Sequence, residues 1–529
     1  MSTVRVREIS KYGFSRHGTV EELGIEIPAL LEVSENRVGP FRIRGPGLYP
    51  LDTSPGGTVI PQHMIFEPFG VGSGLEREGK AAVVSDPDQL RGDEELVVVY
   101  NAPLLLRRPR ELVGLLLGIR KRLGFGPLIY LPGGAPPHLI PILLYLGVDL
   151  MDDLSARLHA AYSRRFTPFM VLDGDGSGNR EAMEWALRRY VEALDAGRAR
   201  ELVEAYASLS PEGASMLRMA DLYHWREFEH VAPARGRIVA ASLDSLRRPE
   251  VRRWTARLGE RYVPPGGRVL LLLPCSARKP YSQSPSHRPI VSLVRGLPAG
   301  SVHEVILSSP LPMVPRELET YHPAMHYDSA VSGVYFEDEV NAIHEALELL
   351  LSRWEYEKIV AFLPENMSFV KRFYDIVWIP FGRENLGLLR NALEGYEGVR
   401  DFRRRVARSQ LSFQYGPRLL RTLDELEWRV KGTTIVAGGE ILFRWTGEAW
   451  KPTKGGAELL VRANVYNIEI DDFHPRGTVF SVGVTSTTED FRIGEYVAVH
   501  HGGEVRAVAK ALSSPLQIRT SKCAAAKTL

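Results

Sequence analysis

A thiol, an amine, a phenol, several hydroxyls and an imidazole crowd the segment Pro274-Cys275-Ser-Ala-Arg278-Lys279-Pro280-Tyr281-Ser-Gln-Ser284-Pro-Ser-His287. A cysteine near lysine or protonated histidine is driven toward thiolate, the form that attacks electrophilic carbon. A lone cysteine after a strand is usually a small buried hydrophobe; the crowd of titratable partners makes Cys275 a candidate nucleophile instead. His287, whose side chain titrates near neutrality, is the candidate general acid and base. The apolar run Val269 to Leu273 leads directly into this loop, and open α/β sheets hold their ligands where such strands end.

A second motif is Asp173-Gly-Asp175-Gly-Ser177-Gly178 with Glu181 and Glu184, which fits a calcium loop by spacing. Against a cation, Arg180 stands where such loops carry an aliphatic residue, and helix starts collect Asp, Ser, Asn and Glu for their own reasons. A turn followed by a capped helix is the expectation for Asp173 to Glu184.

The elements that must position these groups follow from periodicity. Over the first 230 or so residues short apolar strands alternate with amphipathic helices: strand Glu95 to Tyr100, helix Pro109 to Leu123 stopped by Gly124, strand Pro127 to Leu131, helix Pro137 to Leu146. Such alternation predicts parallel α/β architecture, barrel or open sheet. From Val231 to Pro265 the pattern loosens into charged, Pro/Gly-rich sequence that reads as a linker or small bridging element. A new α/β unit begins at Arg268, with strands Val269 to Leu273, Val302 to Leu307 and Lys358 to Leu363 and a strong helix from Glu337 to Trp354. After Thr433 glycine-punctuated β-type runs predict small β-rich modules.

Composition narrows the field. The chain has 529 residues, 44% hydrophobic and 25% charged, enough for several globular domains and unlike a disordered or fibrous protein. No stretch has the apolar length of a membrane helix and the N-terminus lacks a secretory signal, so a cytoplasmic location is expected. Two cysteines exclude a disulfide framework and any zinc site of three or four thiolates. With 66 basic against 64 acidic residues, a nucleic-acid surface must be a local patch; Arg403-Arg-Arg405 with Arg408 is one candidate, a solvated helix face its plain alternative.

The spacing P-C-x3-K-P-Y-x2-S-x2-H, filled by Pro274, Cys275, Lys279, Pro280, Tyr281, Ser284 and His287, resembles the signature of the archaeosine synthase family, archaeal tRNA-modifying enzymes related to tRNA-guanine transglycosylases. Ser308-Ser-Pro310, Val314 to Glu319, Tyr321, Pro323, Tyr327-Asp328 and Gly333 are similar to that family's middle domain. Tyr130-Leu-Pro-Gly133 and Leu146-Gly-Val-Asp-Leu-Met-Asp152 resemble the transglycosylase barrel, whose nucleophilic aspartate maps onto Asp152. Phe473 to Leu512 looks like a PUA RNA-binding barrel. The resemblance therefore implies a multidomain α/β fold: a degenerate TIM-barrel-like transglycosylase domain over 1–235, an α/β middle domain over 262–410, a small domain over 413–470 and a PUA domain over 472–517.

What the resemblance implies about activity is a transferase that adds an amino nitrogen, from lysine or from glutamine or ammonia, to the nitrile of 7-cyano-7-deazaguanine at position 15 of tRNA. The product is an amidine on the route to archaeosine. Cys275 would form a thioimidate, His287 would shuttle protons, and Lys279 would depress the thiol pKa or hold the donor's carboxylate. Tyr281 would stack on the deazapurine, Ser284 would donate to the developing imide nitrogen, and Arg316 and Glu317 would bind substrate. Partners would be the D-arm and acceptor end of tRNA, a small nitrogen donor and a radical SAM enzyme, with an oligomer compatible and no membrane. No cofactor is expected. The transglycosylase zinc run is missing, and Asp52-Thr-Ser-Pro-Gly-Gly57 departs too far from the family's base-pocket loop to inherit its role. Asp152 is then a remnant or a structural helix cap. Base exchange and a non-catalytic tRNA scaffold are the alternative functions.

Overall fold

The computed structural model describes residues 6–21, 23–34, 37–39, 41–43, 50–51, 60–61, 75–76, 81–330, 332–372 and 374–529. The Asp52 to Gly57 loop lies outside them. The chain divides into two compact units, the first made of residues 1–233, 480–482 and 513–525, the second of 234–479, 483–512 and 526–529.

In the first unit five parallel strands run in the order Ala81–Val84, Leu96–Val99, Leu128–Leu131, Leu150–Asp152, Ala29–Leu31. Leu96–Val99 and Leu128–Leu131 are buried at every position, as strands covered on both faces must be. Helix Pro109–Leu123 forms as predicted and buries Leu112, Leu115, Leu116 and Ile119. It stops because Gly124 turns to φ +62, where a Cβ would also strike Thr520. Among the described residues the sheet is an open run of five strands rather than the closed ring of a complete barrel. After Asp152 the chain adds helix Leu154–Ala161, the hairpin Arg164–Phe166 with Val171–Asp173, then the helices Asn179–Asp195, Ala199–Ala207, Pro211–Tyr223 and Trp225–Val231. Sequence that a barrel would spend on further strands is helical here.

The second unit centres on strand Val269–Pro274, all six positions of which are buried; burying aliphatic side chains like these is worth about 1.5–3 kcal/mol apiece. Val302–Leu307 pairs with it in parallel on one side and Lys358–Leu363 on the other, with Val377–Pro380 beyond and the antiparallel Met313–Pro315 at the opposite edge. The stretch expected as a linker belongs to this unit. Ile238–Ala240 pairs with Tyr327–Ser329, and helix Pro249–Glu260 buries Trp254, whose indole N–H donates to the Met313 carbonyl at 2.9 Å. Its charge hid it, because Arg253 and Arg257 are themselves buried on that helix.

Downstream, Trp428–Lys431, Thr434–Ala437, Glu440–Trp445 and Trp450–Pro452 form an antiparallel meander followed by helix Lys454–Arg462. A six-stranded mixed sheet then runs from Asn467 to Thr528, wider than the 472–517 expected. No described helix is long and apolar enough to cross a membrane.

Candidate active site

The central strand's first connection leads to Val302–Leu307 on one side, while Lys358–Leu363 comes to lie on the other. The carboxyl end of Val269–Pro274 is therefore a topological switch point, where diverging connections leave a crevice. Cys275 is the first residue past that end. Pro274 is in register with Leu307, so the next residue of each strand, Cys275 and Ser308, are neighbours, and the thiol is hydrogen-bonded to the Ser308 hydroxyl. From Ser308 the contacts continue to the Tyr327 hydroxyl, which lies 2.5 Å from that of Tyr281. Cys275, Ser308, Tyr327 and Tyr281 thus form one hydroxyl chain ending in a sulfur.

Lys279 lies over this chain, its ammonium 3.8 Å from the Tyr327 ring centroid and 5.8 Å from that of Tyr281, a cation–π arrangement. Burial pushes the Cys275 thiol above its ordinary value, against the pull of the Ser308 hydrogen bond and the Lys279 charge. Burial likewise lowers Lys279, opposed by Cys275 and Asp328. Burial thus moves the thiol up and the amine down, toward each other. Burial raises the phenols of Tyr281, Tyr327 and Tyr335, and all three also feel the charge of Cys275. Cys275 as a residue is partly exposed.

His287 occupies a different position from the one expected. Its Nε2–H donates to the Pro274 carbonyl at 2.9 Å, and its Nδ1 accepts from Arg316 Nη2 at 3.1 Å. Both ring nitrogens are committed, the residue is fully buried, and burial together with the Arg316 charge pulls its pKa down to about 4. The imidazole fixes the strand end that carries Cys275 and is not free to shuttle protons. Ser284 is also structural: its hydroxyl accepts from the His287 backbone N–H at 3.2 Å and meets Ser286 at 3.1 Å.

Arg316 and Glu317, expected to bind substrate, belong to the scaffold. Arg316 donates to Glu304 at 2.9 Å, Glu319 at 3.0 Å and His287, which uses up its fork. Glu317 accepts from the Tyr262 hydroxyl at 2.5 Å, and burial raises its pKa to about 7. Ser308 and Tyr335 were missed as site residues. Ser308 ends the neighbouring strand as Cys275 ends the central one, a signal that appears only once the two strands are known to pair.

The remaining candidates lie elsewhere. Asp152 is fully buried and saturated: one carboxylate oxygen accepts from the Tyr130 hydroxyl at 2.6 Å and the Gly133 N–H at 2.7 Å, the other from the Leu154 N–H at 2.9 Å. Burial raises its pKa to about 6. This is the helix-start staple of Leu154–Ala161. In the Asp173 to Glu184 stretch, Asp175 accepts from the Ser177 N–H and hydroxyl, while Arg180 donates to Glu184 at 3.0 Å and to Asp153 at 2.7 Å. Asp175 thus serves a turn and Glu184 an ion pair, and among the described residues no group of three or more His, Cys, Asp or Glu is arranged to hold a metal ion. Arg408 is paired with Asp424, and Arg404 lies 4.6 Å over Trp428.

A family model described as a domain of unknown function, DUF5591, matches residues 251–380, the stretch that carries Cys275 and its partners. Archaeosine synthase subunit alpha of Thermoplasma acidophilum is 34% identical over 428 residues, covering 78% of this chain and 84% of that protein. The protein of the same name from Thermococcus kodakarensis is 30% identical over 468 residues, 83% of this chain and 81% of its own. Among solved structures, the crystal structure of AF0587, a protein of unknown function, is 26% identical, covers 53% of this chain and 97% of that one, and has a TM-score of 0.41. With such identity sustained along most of both sequences, the chain belongs to the archaeosine synthase alpha-subunit family.

Proposed function

We propose that the chain is a tRNA-modifying enzyme of archaeosine biosynthesis, a transferase that converts the nitrile of 7-cyano-7-deazaguanine in tRNA into an amidine. The observation that carries the reading is the Cys275–Ser308–Tyr327–Tyr281 chain with Lys279 above it, at the switch point of the second unit's sheet. Relatives named archaeosine synthase supply the substrate class.

The chemistry balances with side chains and substrates alone. Cys275 sulfur bonds to the nitrile carbon while the Lys279 ammonium gives a proton to the nitrile nitrogen and the thiol proton, passed along the Ser308 hydroxyl, replaces it, which gives a thioimidate. The donor amine then bonds to the same carbon, the C–S bond breaks, and the sulfur recovers a proton as the amidine departs. Splitting one addition into two lower barriers is the gain of covalent catalysis. Lys279 takes the shuttle role expected of His287, whose nitrogens are committed. The six-stranded sheet from Asn467 to Thr528 is assigned as the PUA module that holds tRNA. With lysine as donor, the adduct would pass to a radical SAM enzyme. Base exchange through Asp152 is disfavoured, because its carboxylate is already saturated and sealed.

The test is to incubate the protein with nitrile-bearing tRNA and labelled lysine or glutamine and to weigh the nucleosides. A donor-dependent mass increase that Cys275→Ala abolishes is the expected result. No increase with either donor, or an increase that survives the substitution, overturns the reading.

A further inference from the structure

Neighbouring strands of the small meander place Lys431 opposite Thr434, Thr434 opposite Arg444, and Arg444 opposite Lys451. Residues directly opposed across strands project from the same face, so three cations and a hydroxyl form one row across all four strands. At about 4.8 Å per strand the row is about 14 Å long. Arg444 and Lys451 also line a groove of about 400 Å³ together with Lys454, the first residue of the next helix, and Arg506 on strand Glu504–Ala511.

Like charges placed directly opposite each other weaken a sheet, and Arg444 faces Lys451 in that way. Among the described residues Lys431, Arg444, Lys451 and Lys454 have no carboxylate partner; of the cations at this groove only Arg506 does, bonded to Asp472 at 3.0 Å and Glu504 at 3.3 Å. In the Arg403 to Arg408 cluster, by comparison, Arg408 and Arg404 already have Asp424 and Trp428 as partners. An unneutralised row of this length suits a polyanion, and a nucleic-acid backbone presents a charge about every 3.4 Å along a strand.

We propose that the Lys431–Thr434–Arg444–Lys451 row, with Lys454 at its groove, is a phosphate track for the RNA backbone. This rests on RNA being the substrate and adds where the backbone is gripped: sequence-independent contacts that fix register, separate from the chemistry at Cys275. The test is tRNA binding by the full chain across a salt series. Arg444→Ala/Lys451→Ala/Lys454→Ala together should weaken binding at least tenfold and reduce the salt slope by about 3, about one per cation removed, while the melting temperature stays the same or rises. Arg408→Ala, which removes a guanidinium already paired with Asp424, is the control expected to bind as wild type. If the triple variant melts early, Lys451→Ala alone, expected to lower the slope by about 1, is read in its place. Wild-type binding with an unchanged variant slope overturns the track and leaves the proposed function standing. A wild type that binds no tRNA brings down both.

Discussion

Asp152 and Cys275 stand in equivalent places. Each follows or ends a buried parallel strand at its carboxyl end, each is surrounded by hydroxyls or amides, and each is held away from its ordinary pKa by burial. Their bonding separates them. Three donors fill the Asp152 oxygens and nothing reaches it from outside. The Cys275 sulfur has one hydroxyl neighbour and a cation nearby, and the residue is partly exposed. A strand end nominates a reactive residue; bonding capacity left unspent is what makes it available.

Isosteric exchange at the two positions is the most direct way to break that contrast. Cys275→Ser should lower amidine formation by at least about 10³-fold, the scale on which a lost nucleophile is felt. Asp152→Asn should leave turnover per folded molecule within about threefold. Single-turnover mass spectrometry of the tRNA nucleosides measures both, and a dead, normally folded Asp152→Asn enzyme would erase the distinction.

Lys279→Met sharpens the Cys275 side. Turnover should fall by about 10²–10³, as for the loss of a general acid–base group. The same change should move alkylation of Cys275 by iodoacetamide, followed on its own peptide so that Cys523 does not intrude, to higher pH. The sign is set by burial pushing the thiol up while the Ser308 hydrogen bond and Lys279 pull it down: remove the cation and Ser308 is left to oppose burial with less help. An unshifted alkylation profile would mean that the amine and the sulfur do not communicate.

Cys275, Lys279 and Tyr281 were legible in the sequence because they share one loop after one buried strand. Ser308 and Tyr335 were not, since they reach the sulfur only through strand pairing and a connection between elements distant in sequence. His287 was legible as a member of the motif but not in its task. The sequence contains the imidazole; it does not show that Pro274 and Arg316 claim both nitrogens. The parallel sheet of the first unit was readable from its apolar runs, whereas the open run of five strands seen among the described residues was not, because periodicity describes each element without saying how many strands a sheet will recruit.

The smallest effects expected come from two buried scaffold groups of opposite sign, and they show whether the region under Cys275 is as fixed as its hydrogen bonds imply. His287 is held neutral at about 4 against an ordinary 6.5. That gap is roughly 3 kcal/mol of stability, fully present above pH 6.5 and lost as pH falls toward 4. Glu317 is raised to about 7 from 4.5, a contribution of roughly the same size that is complete below pH 4.5 and lost as pH rises through 7. Between pH 4.5 and 6.5 the two slopes oppose each other, so the wild type hides both. In urea unfolding from pH 4 to 8, the penalty of His287→Gln relative to wild type should therefore be largest at pH 7 and shrink toward pH 4. That of Glu317→Gln should be largest at pH 4 and shrink or reverse above pH 7. Two penalties flat with pH would mean that neither group is held in its neutral form, and the strand end carrying Cys275 would then be anchored by packing alone.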